Sequence, residues 1–308
     1  MSFQAPLSVL VVRPCWFGPN AETEGTNIFQ QRADEDLVTI RERAISEFDA
    51  FYDSLVQNGI ETLRFEDTPE PRKTDAVFPN NWISTHQDGT VVLYPMMANI
   101  RRFERRPEIL EELSAKGYLC NKIIDYSGHE EDGIFLEGTG SVVFDYVNKI
   151  AYACASSRTQ HELFLKLCTE LGFKPCYFTA LAPGGGEIYH TNVILSIGSH
   201  YVVVADELIP ESERKNVLEQ LSESGRSIVS ISFDQVKQFA GNIMEVKKKN
   251  GQSVLLCSQS AWEAFNKQQK NFLSSIMEVL PISIPTIEKY GGGSIRCMVC
   301  GLFNSPMR

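Results

Sequence analysis

A period constrains this chain more than any single motif. The same order of elements, two apolar strands, a helix and a third strand, recurs along its length. One polar or reactive residue marks each recurrence: Asn81, Glu137, His190, Asn242 and Cys297, at gaps of 56, 53, 52 and 55 residues. The second unit reads AVFPNNWIS, GTVVLYP, a helix over Pro107 to Lys116, and NKIIDY. The third reads GIFLEGTGSVVFD, KIAYACAS, a helix over Thr159 to Leu171, and PCYFTAL. The fourth is YHTNVILSIG, HYVVVAD, a helix over Pro210 to Ser224, and SIVSIS; the fifth is GNIMEVKKK, SVLLCS, a helix over Ala261 to Val279, and ISIPTI. The first unit is split. Its strand Ser8 to Val12, helix Asp34 to Gln57 and strand Glu61 to Phe65 open the chain, and CMVCGLF at the far end supplies the missing strand. Similarity at a fixed period signals a repeat architecture. Five such units predict a ring, which removes exposed sheet edges and brings the five marked residues to one central axis. Similar units stacked in a layered domain would not by themselves place a polar or reactive residue at every step.

Length alone, 308 residues, suggests about two domains of ~150 residues. The period instead makes residues 1–308 a single catalytic domain. A net charge of −10 argues against a nucleic-acid or anionic-membrane partner. It leaves room for an anionic substrate held by a local arginine cluster. No apolar run approaches the ~20 residues of a membrane helix, and SVLVV reads as a buried strand, not as part of a signal peptide. Cysteines 15, 120, 154, 168, 176, 257, 297 and 300 are scattered, which favours reduced thiols in the cytoplasm. Cys297 and Cys300 form a CxxC without a second pair at zinc spacing, so no metal is expected.

Three glycines lead into Cys297 in GGGSIRC. They clear side-chain bulk beside a thiol, either as a flexible turn before a buried cysteine or as room around a nucleophile. His190 stands at the mouth of a buried strand after a second triplet, GGGEIYH. It reads equally as a satisfied core histidine and as a catalytic one. Glu137, in LEGTG, is acidic within an apolar segment and needs a partner to be buried. A carboxylate that orients a histidine is the simplest use; a hydrogen-bonded turn is the other. The remaining histidines sit in polar loops or at helix starts.

DAVFPNNW, LEGTG, YHTN and GGGSIRC, in this order, resemble the guanidine-modifying superfamily of arginine deiminases, dimethylarginine dimethylaminohydrolases, agmatine deiminases and amidinotransferases. The resemblance implies the pentein fold, a five-bladed α/β propeller with pseudo-fivefold symmetry, and no cofactor. It implies Cys297 as nucleophile, His190 as general acid and base, and Glu137 as the partner of that histidine. MANIRRFER resembles the family's substrate-carboxylate segment, so Arg101 or Arg102 is implied there, and SSRT implies Arg158 as a second carboxylate ligand. FAGNIMEV resembles a structural turn, which makes Asn242 scaffold. A small amino acid is the implied partner, and assembly as a homodimer is left open.

The chain departs from the deiminase pattern where two carboxylates grip the guanidinium. Asn81 and Asn192 stand there, while Asp75 upstream stays acidic. Charge-assisted hydrogen bonds are roughly twice as strong as neutral ones, so two amides weaken the grip on a cation. An amide both donates and accepts, which suits a neutral ureido group. The pattern resembles the branch called citrulline-utilisation hydrolases. The expectation is a cysteine-dependent hydrolase that cleaves a non-peptide C–N bond of an arginine- or citrulline-like substrate through a covalent intermediate. The alternatives are an amidinotransferase and a silent pentein that only binds. Residues 19–34 read as a lid or as disorder, with Arg13, Trp16 and Phe17 before them as pocket lining or simple packing.

Overall fold

The computed structural model describes residues 3–304; the outermost ends of the expected 1–308 domain lie outside them. The described strands are β1 (Ser8–Arg13), β2 (Glu61–Glu66), β3 (Ile83–Thr85), β4 (Thr90–Leu93), β5 (Lys122–Asp125), β6 (Val142–Asp145), β7 (Ile150–Cys154), β8 (Lys174–Phe178), β9 (Leu195–Ile197), β10 (Tyr201–Val204), β11 (Ser227–Ser230), β12 (Met244–Lys247), β13 (Ser253–Ser258), β14 (Glu278–Ile282) and β15 (Cys300–Leu302). They form five three-stranded sheets of one topology. In each, the first strand runs antiparallel to the second, and the second runs parallel to the third. The split unit obeys the same rule: β15 is antiparallel to β1 at Val9↔Gly301, and β1 is parallel to β2. The parallel step requires a crossover, which helices supply.

Burial grades across every sheet. β3, β9 and β15 are buried throughout, whereas β2, β5 and β11 are largely exposed. The first strands therefore lie innermost, and short polar bridges tie neighbours together. The Thr85 hydroxyl donates to the Gly301 carbonyl, joining β3 to β15. The Gln4 amide donates to the carbonyls of Phe144 on β6 and Ile197 on β9. The Ser196 hydroxyl on β9 donates to the Ile243 carbonyl, next to β12.

The helices carry apolar residues on their inner faces. Leu37–Gln57, capped by Asp36, buries Ile40, Ala44, Phe48, Phe51 and Leu55. Burying each such side chain contributes roughly 1.5–3 kcal/mol. His161–Leu171 and Glu211–Ser222 lie within a few residues of their expected spans. The fifth unit differs. Its single long helix is two, Gln259–Ala264 and Lys267–Ile276, because Asn266 and Gln269 form a capping box that starts a new helix. The strand expected at ISIPTI, residues 282–287, lies earlier, at Glu278–Ile282, where the end of the long helix was expected. β14 stops at Ile282, and Pro285 opens a helix to Gly291 that leads into the glycine triplet. Proline fits a first helical turn because its missing N–H is unneeded there.

Candidate active site

Each marked residue lies just before the first strand of a sheet. Asn81 closes a 3-10 turn two residues before β3, and Glu137 precedes the short helix Gly138–Ser141 that enters β6. His190 precedes the 3-10 turn Thr191–Val193 before β9. Asn242 and Cys297 precede β12 and β15. Adjacent turns interlock closely. A Cβ on Gly140 would sit 2.4 Å from Asn81 Nδ2 and 2.7 Å from His190 Nδ1, so only glycine lets three units meet there. The resulting cavity is lined by Asp75, Asn81, Arg101, Arg158, His190 and Cys297, among others.

His190 Nε2 lies 2.9 Å from Glu137 Oε2, and both side chains are buried. Burial pushes the Glu137 carboxyl up, but Arg158, His190 and Arg101 together outweigh it and hold it below the usual carboxylate range. An ionised carboxylate only accepts, so Nε2 carries the hydrogen and Nδ1 is the basic nitrogen. Burial drives the His190 pKa down to about 4 against the opposing pull of Glu137. The imidazole is therefore neutral near pH 7.

The thiol of Cys297 meets two amides. Asn242 Nδ2 donates to Sγ at 3.2 Å, and Asn192 Nδ2 donates at 3.5 Å. Asn242 also accepts from the Cys297 amide N–H through Oδ1 at 3.4 Å and donates to the Asn192 carbonyl at 3.0 Å. These contacts fix its amide orientation. Asn242, expected as scaffold, thus touches the Cys297 sulfur. Its place among the five periodically spaced residues is the sequence signal that pointed to it.

The glycine triplet lines the cavity beside Cys297 and also packs closely: a Cβ on Gly293 would come within 3.3 Å of the Cys297 Cβ. A Cβ on Gly291 would meet the Phe78 ring at 2.8 Å and Phe17 at 3.3 Å. Gly292, at φ 62°, receives the loop residues Asn27 and Gln30. The triplet before His190 is different: Gly184 to Gly186 form an exposed turn remote from the thiol cavity.

Four further residues behave differently from one another. Asp75 is buried; Oδ2 accepts from Asn20 at 2.7 Å, and Oδ1 has no partner. Asn81 Oδ1 accepts from Arg101 Nη1 at 2.8 Å, which leaves Nδ2 buried without a partner. Arg158 lies 4.8 Å over the Tyr189 ring, donates to the Thr26 hydroxyl at 2.6 Å and reaches Glu137 at 3.5 Å, with Nε unpartnered.

Arg101 corrects its expected role. It borders the cavity, but Nε and Nη2 grip Glu104 at 2.9 Å each, and Nη2 also reaches the Phe78 carbonyl. So engaged, most of the guanidinium is held by protein groups, with Nη1 on Asn81 Oδ1 at the cavity wall. Arg102, the other residue of that pair, faces away towards Glu130 at 3.5 Å. Glu104 was missed, although its i, i+3 spacing from Arg101 was legible.

The 19–34 stretch is ordered and packs beside the cavity, which Thr23 and Asn27 help to line. Thr26 meets Arg158, Asn27 Nδ2 donates to the Gly291 carbonyl at 3.3 Å, and Glu22 accepts from the Ile100 amide. Arg13 and Trp16 pack away from the site, on Asp49 and the Pro69 carbonyl. All eight cysteines are free. Among the described residues, no group of three or more His, Cys, Asp or Glu side chains is placed to hold a metal ion, and no helix is long and apolar enough to cross a membrane.

This fold and site define a pentein of the amidinotransferase and dimethylaminohydrolase superfamily. Within it, the chain belongs to the eukaryotic N,N-dimethylarginine dimethylhydrolase family, whose model matches residues 13–304. Comparison with curated protein sequences gives no match. Among solved structures, apo ArgZ, an arginine dihydrolase from the ornithine–ammonia cycle in Cyanobacteria, superposes with a TM-score of 0.73 at 14% identity. That match covers 97% of this chain and 41% of ArgZ, so this chain spans about two fifths of that protein. The N-terminal domain of an ArgZ asparagine-to-serine variant, covalently bound to a reaction intermediate, has a TM-score of 0.73 at 14% identity, covering 96% of this chain and 97% of that one. A dimethylarginine dimethylaminohydrolase variant in adduct with S-methyl-L-thiocitrulline has a TM-score of 0.63 at 15% identity, covering 96% and 99%.

Proposed function

We propose that this protein is a cysteine-dependent hydrolase of a non-peptide C–N bond in an arginine- or citrulline-like amino acid, acting through a covalent Cys297 intermediate. The observation that carries the reading is the convergence of Cys297, the Glu137-held His190 and Arg158 on one cavity. The five sheets serve as blades of a propeller around it, and the chain acts as one catalytic domain. The bridges between first strands support this ring. Eight free thiols suit a reducing cytoplasm.

Cys297 gives its proton to His190 Nδ1 and attacks the planar carbon as thiolate. Asn242 and Asn192 donate to that sulfur. The imidazolium, stabilised by Glu137, protonates the departing amine. His190 then activates the water that hydrolyses the intermediate. Arg158 holds the substrate carboxylate in its planar fork.

Asn81 favours the ureido form of the substrate. Arginine side chains only donate, so Arg101 holds the Asn81 oxygen and leaves Nδ2, packed beside Gly140, as the donor without a partner among the described residues. A guanidinium offers further donors to that donor, whereas a ureido carbonyl accepts from it. Asp75 Oδ1 then accepts an N–H of the same group. The arginine dihydrolase and dimethylaminohydrolase relatives support the wider class of guanidino-hydrolysing enzymes.

The test is amine and ammonia release across arginine, methylated arginines, citrulline and agmatine, with an acceptor amine added to detect transfer. Citrulline turnover that is lost with agmatine-type substrates lacking the carboxylate is the expected result. Arginine turnover without citrulline turnover sinks the ureido assignment. No turnover, together with no haloacetamidine adduct on Cys297, leaves the binding-protein reading.

A further inference from the structure

Two arginines border the thiol cavity, and the structure holds them in different ways. Arg101 is gripped by hydrogen bonds: Nε and Nη2 each donate to Glu104 at 2.9 Å, and Nη1 donates to Asn81. Arg158 is equally buried but lightly bonded. Its one short side-chain hydrogen bond runs from Nη2 to the Thr26 hydroxyl at 2.6 Å. Nη1 reaches Glu137 only at 3.5 Å, and Nε has no partner among the described residues. Bonds of that length are weak, so they leave the guanidinium loosely set. The remaining support is the ring of Tyr189, over which Cζ lies at 4.8 Å. An aromatic face attracts a guanidinium, most strongly where water is excluded.

Tyr189 is itself fixed from several sides. It is buried, and its ring centroid lies 4.6 Å from that of His190, the next residue. Its carbonyl accepts from the hydroxyl of Ser156, two residues before Arg158, at 2.9 Å. Its own hydroxyl donates to the Gly292 carbonyl at 2.6 Å. Burial pushes the phenol pKa well up, so the hydroxyl keeps its proton and stays a donor. The accepting carbonyl belongs to the peptide between Gly292 and Gly293, and Gly293 packs on the Cβ of Cys297. One side chain therefore touches the arginine, adjoins the histidine and bonds the turn that packs on the nucleophile.

We propose that Tyr189 is a positioning residue that holds Arg158 and the Gly292–Gly293 turn at a fixed spacing, so that a substrate whose carboxylate docks on Arg158 presents its planar carbon to Cys297. The inference rests on the proposed function, in which Arg158 holds that carboxylate. Ring and hydroxyl divide the work. The ring face places the guanidinium, and the hydroxyl tethers the turn beside the thiol.

Two alkylating probes separate these roles without turnover. One is 2-chloroacetamidine; the other carries the same warhead on the δ-nitrogen of ornithine, which adds an α-carboxylate. In both, the Cys297 sulfur displaces chloride, and kinact and KI are measured with the adduct located by peptide mass spectrometry. In the wild type the amino-acid tail is expected to raise kinact/KI. Tyr189→Leu should cut that advantage about 3–30-fold, the worth of a desolvated cation–π contact. Tyr189→Phe, which keeps the ring, should preserve the advantage while lowering kinact for both probes about 3–10-fold, the worth of one hydrogen bond. Tyr189→Met, which fills more of the space without an aromatic face, serves if Tyr189→Leu fails to fold. A full tail advantage in either of these two variants overturns the inference and leaves the proposed function standing, even where both probes slow equally, as a purely structural role would give. So does a Tyr189→Phe kinact at the wild-type value. A wild-type protein indifferent to the tail removes the carboxylate role of Arg158, and the inference falls with it.

Discussion

The two walls of the thiol cavity are built on opposite principles. One is ionic: Asp75, Glu104 and Glu137 face Arg101 and Arg158 at 2.9–3.9 Å, out of solvent. The other is neutral: Asn192 and Asn242 surround Cys297, and no carboxylate pairs there. The ionic wall is rigid because each charge needs its partner; removing one member of a buried pair costs about 3–5 kcal/mol. The amide wall can follow a change of charge, because an N–H donates to a thiol weakly and to a thiolate strongly. Under the proposed function, the contrast separates holding a substrate from attacking it.

The largest effect is expected on the neutral wall. Cys297→Ser should reduce turnover by about 10⁴-fold or more, with a thermal midpoint close to wild type. A large fall in the midpoint would show that the thiol is part of the scaffold. On the ionic wall, Glu137→Gln should reduce kcat by about 10²–10⁴-fold and also destabilise the fold, because Arg101 and Arg158 lose a shared carboxylate. Chemical denaturation alongside kinetics reads both losses. If kcat falls while stability holds, the two walls are less different than their charges suggest.

Asn242→Ala gives a smaller effect with a sharper meaning. Losing one donor to the sulfur should slow Cys297 alkylation at pH 7 by about 10–100-fold, the worth of a hydrogen bond to a charged group. The deficit should shrink at high pH, where the thiolate forms unaided. A deficit constant with pH would make Asn242 scaffold only. Asn81→Asp should move the ratio of kcat/KM for arginine over citrulline upwards by about tenfold. An unchanged ratio would remove Asn81 from substrate choice.

The period of five made the architecture legible, because strand spacing and marked residues both survive in one dimension. Cys297, His190 and Glu137 were readable for the same reason. Asn242 stood in that period, yet its contact with sulfur depends on how two turns nest, which residue types alone do not express. Arg101 looked free although Glu104 stands at i, i+3 from it, because that spacing alone does not show that the two side chains meet. The helix Pro285–Gly291 hid in a β-branched stretch, and burial against the long first helix outweighs that propensity.

The smallest effect concerns a histidine away from the thiol cavity. His86 is buried like His190, and burial lowers its pKa to about 4 as well. Its surroundings differ: Nε2 meets the Ser84 hydroxyl at 2.9 Å, while Nδ1 has no partner. No carboxylate holds His86, so protonation there brings desolvation without reward. The folded state binds fewer protons than the unfolded state between pH 6.5 and 4, so stability is complete above 6.5 and is lost as pH falls towards 4. At pH 5 the loss is about 2 kcal/mol. Denaturation of His86→Gln at pH 7 and pH 5 should show a pH effect smaller by that amount. His190→Gln should show a similar change, because the His190 pKa, with the pull of Glu137 already contained in it, is also lowered to about 4. A much smaller change in His190→Gln would mean that Glu137 offsets more of the proton's cost than that value contains.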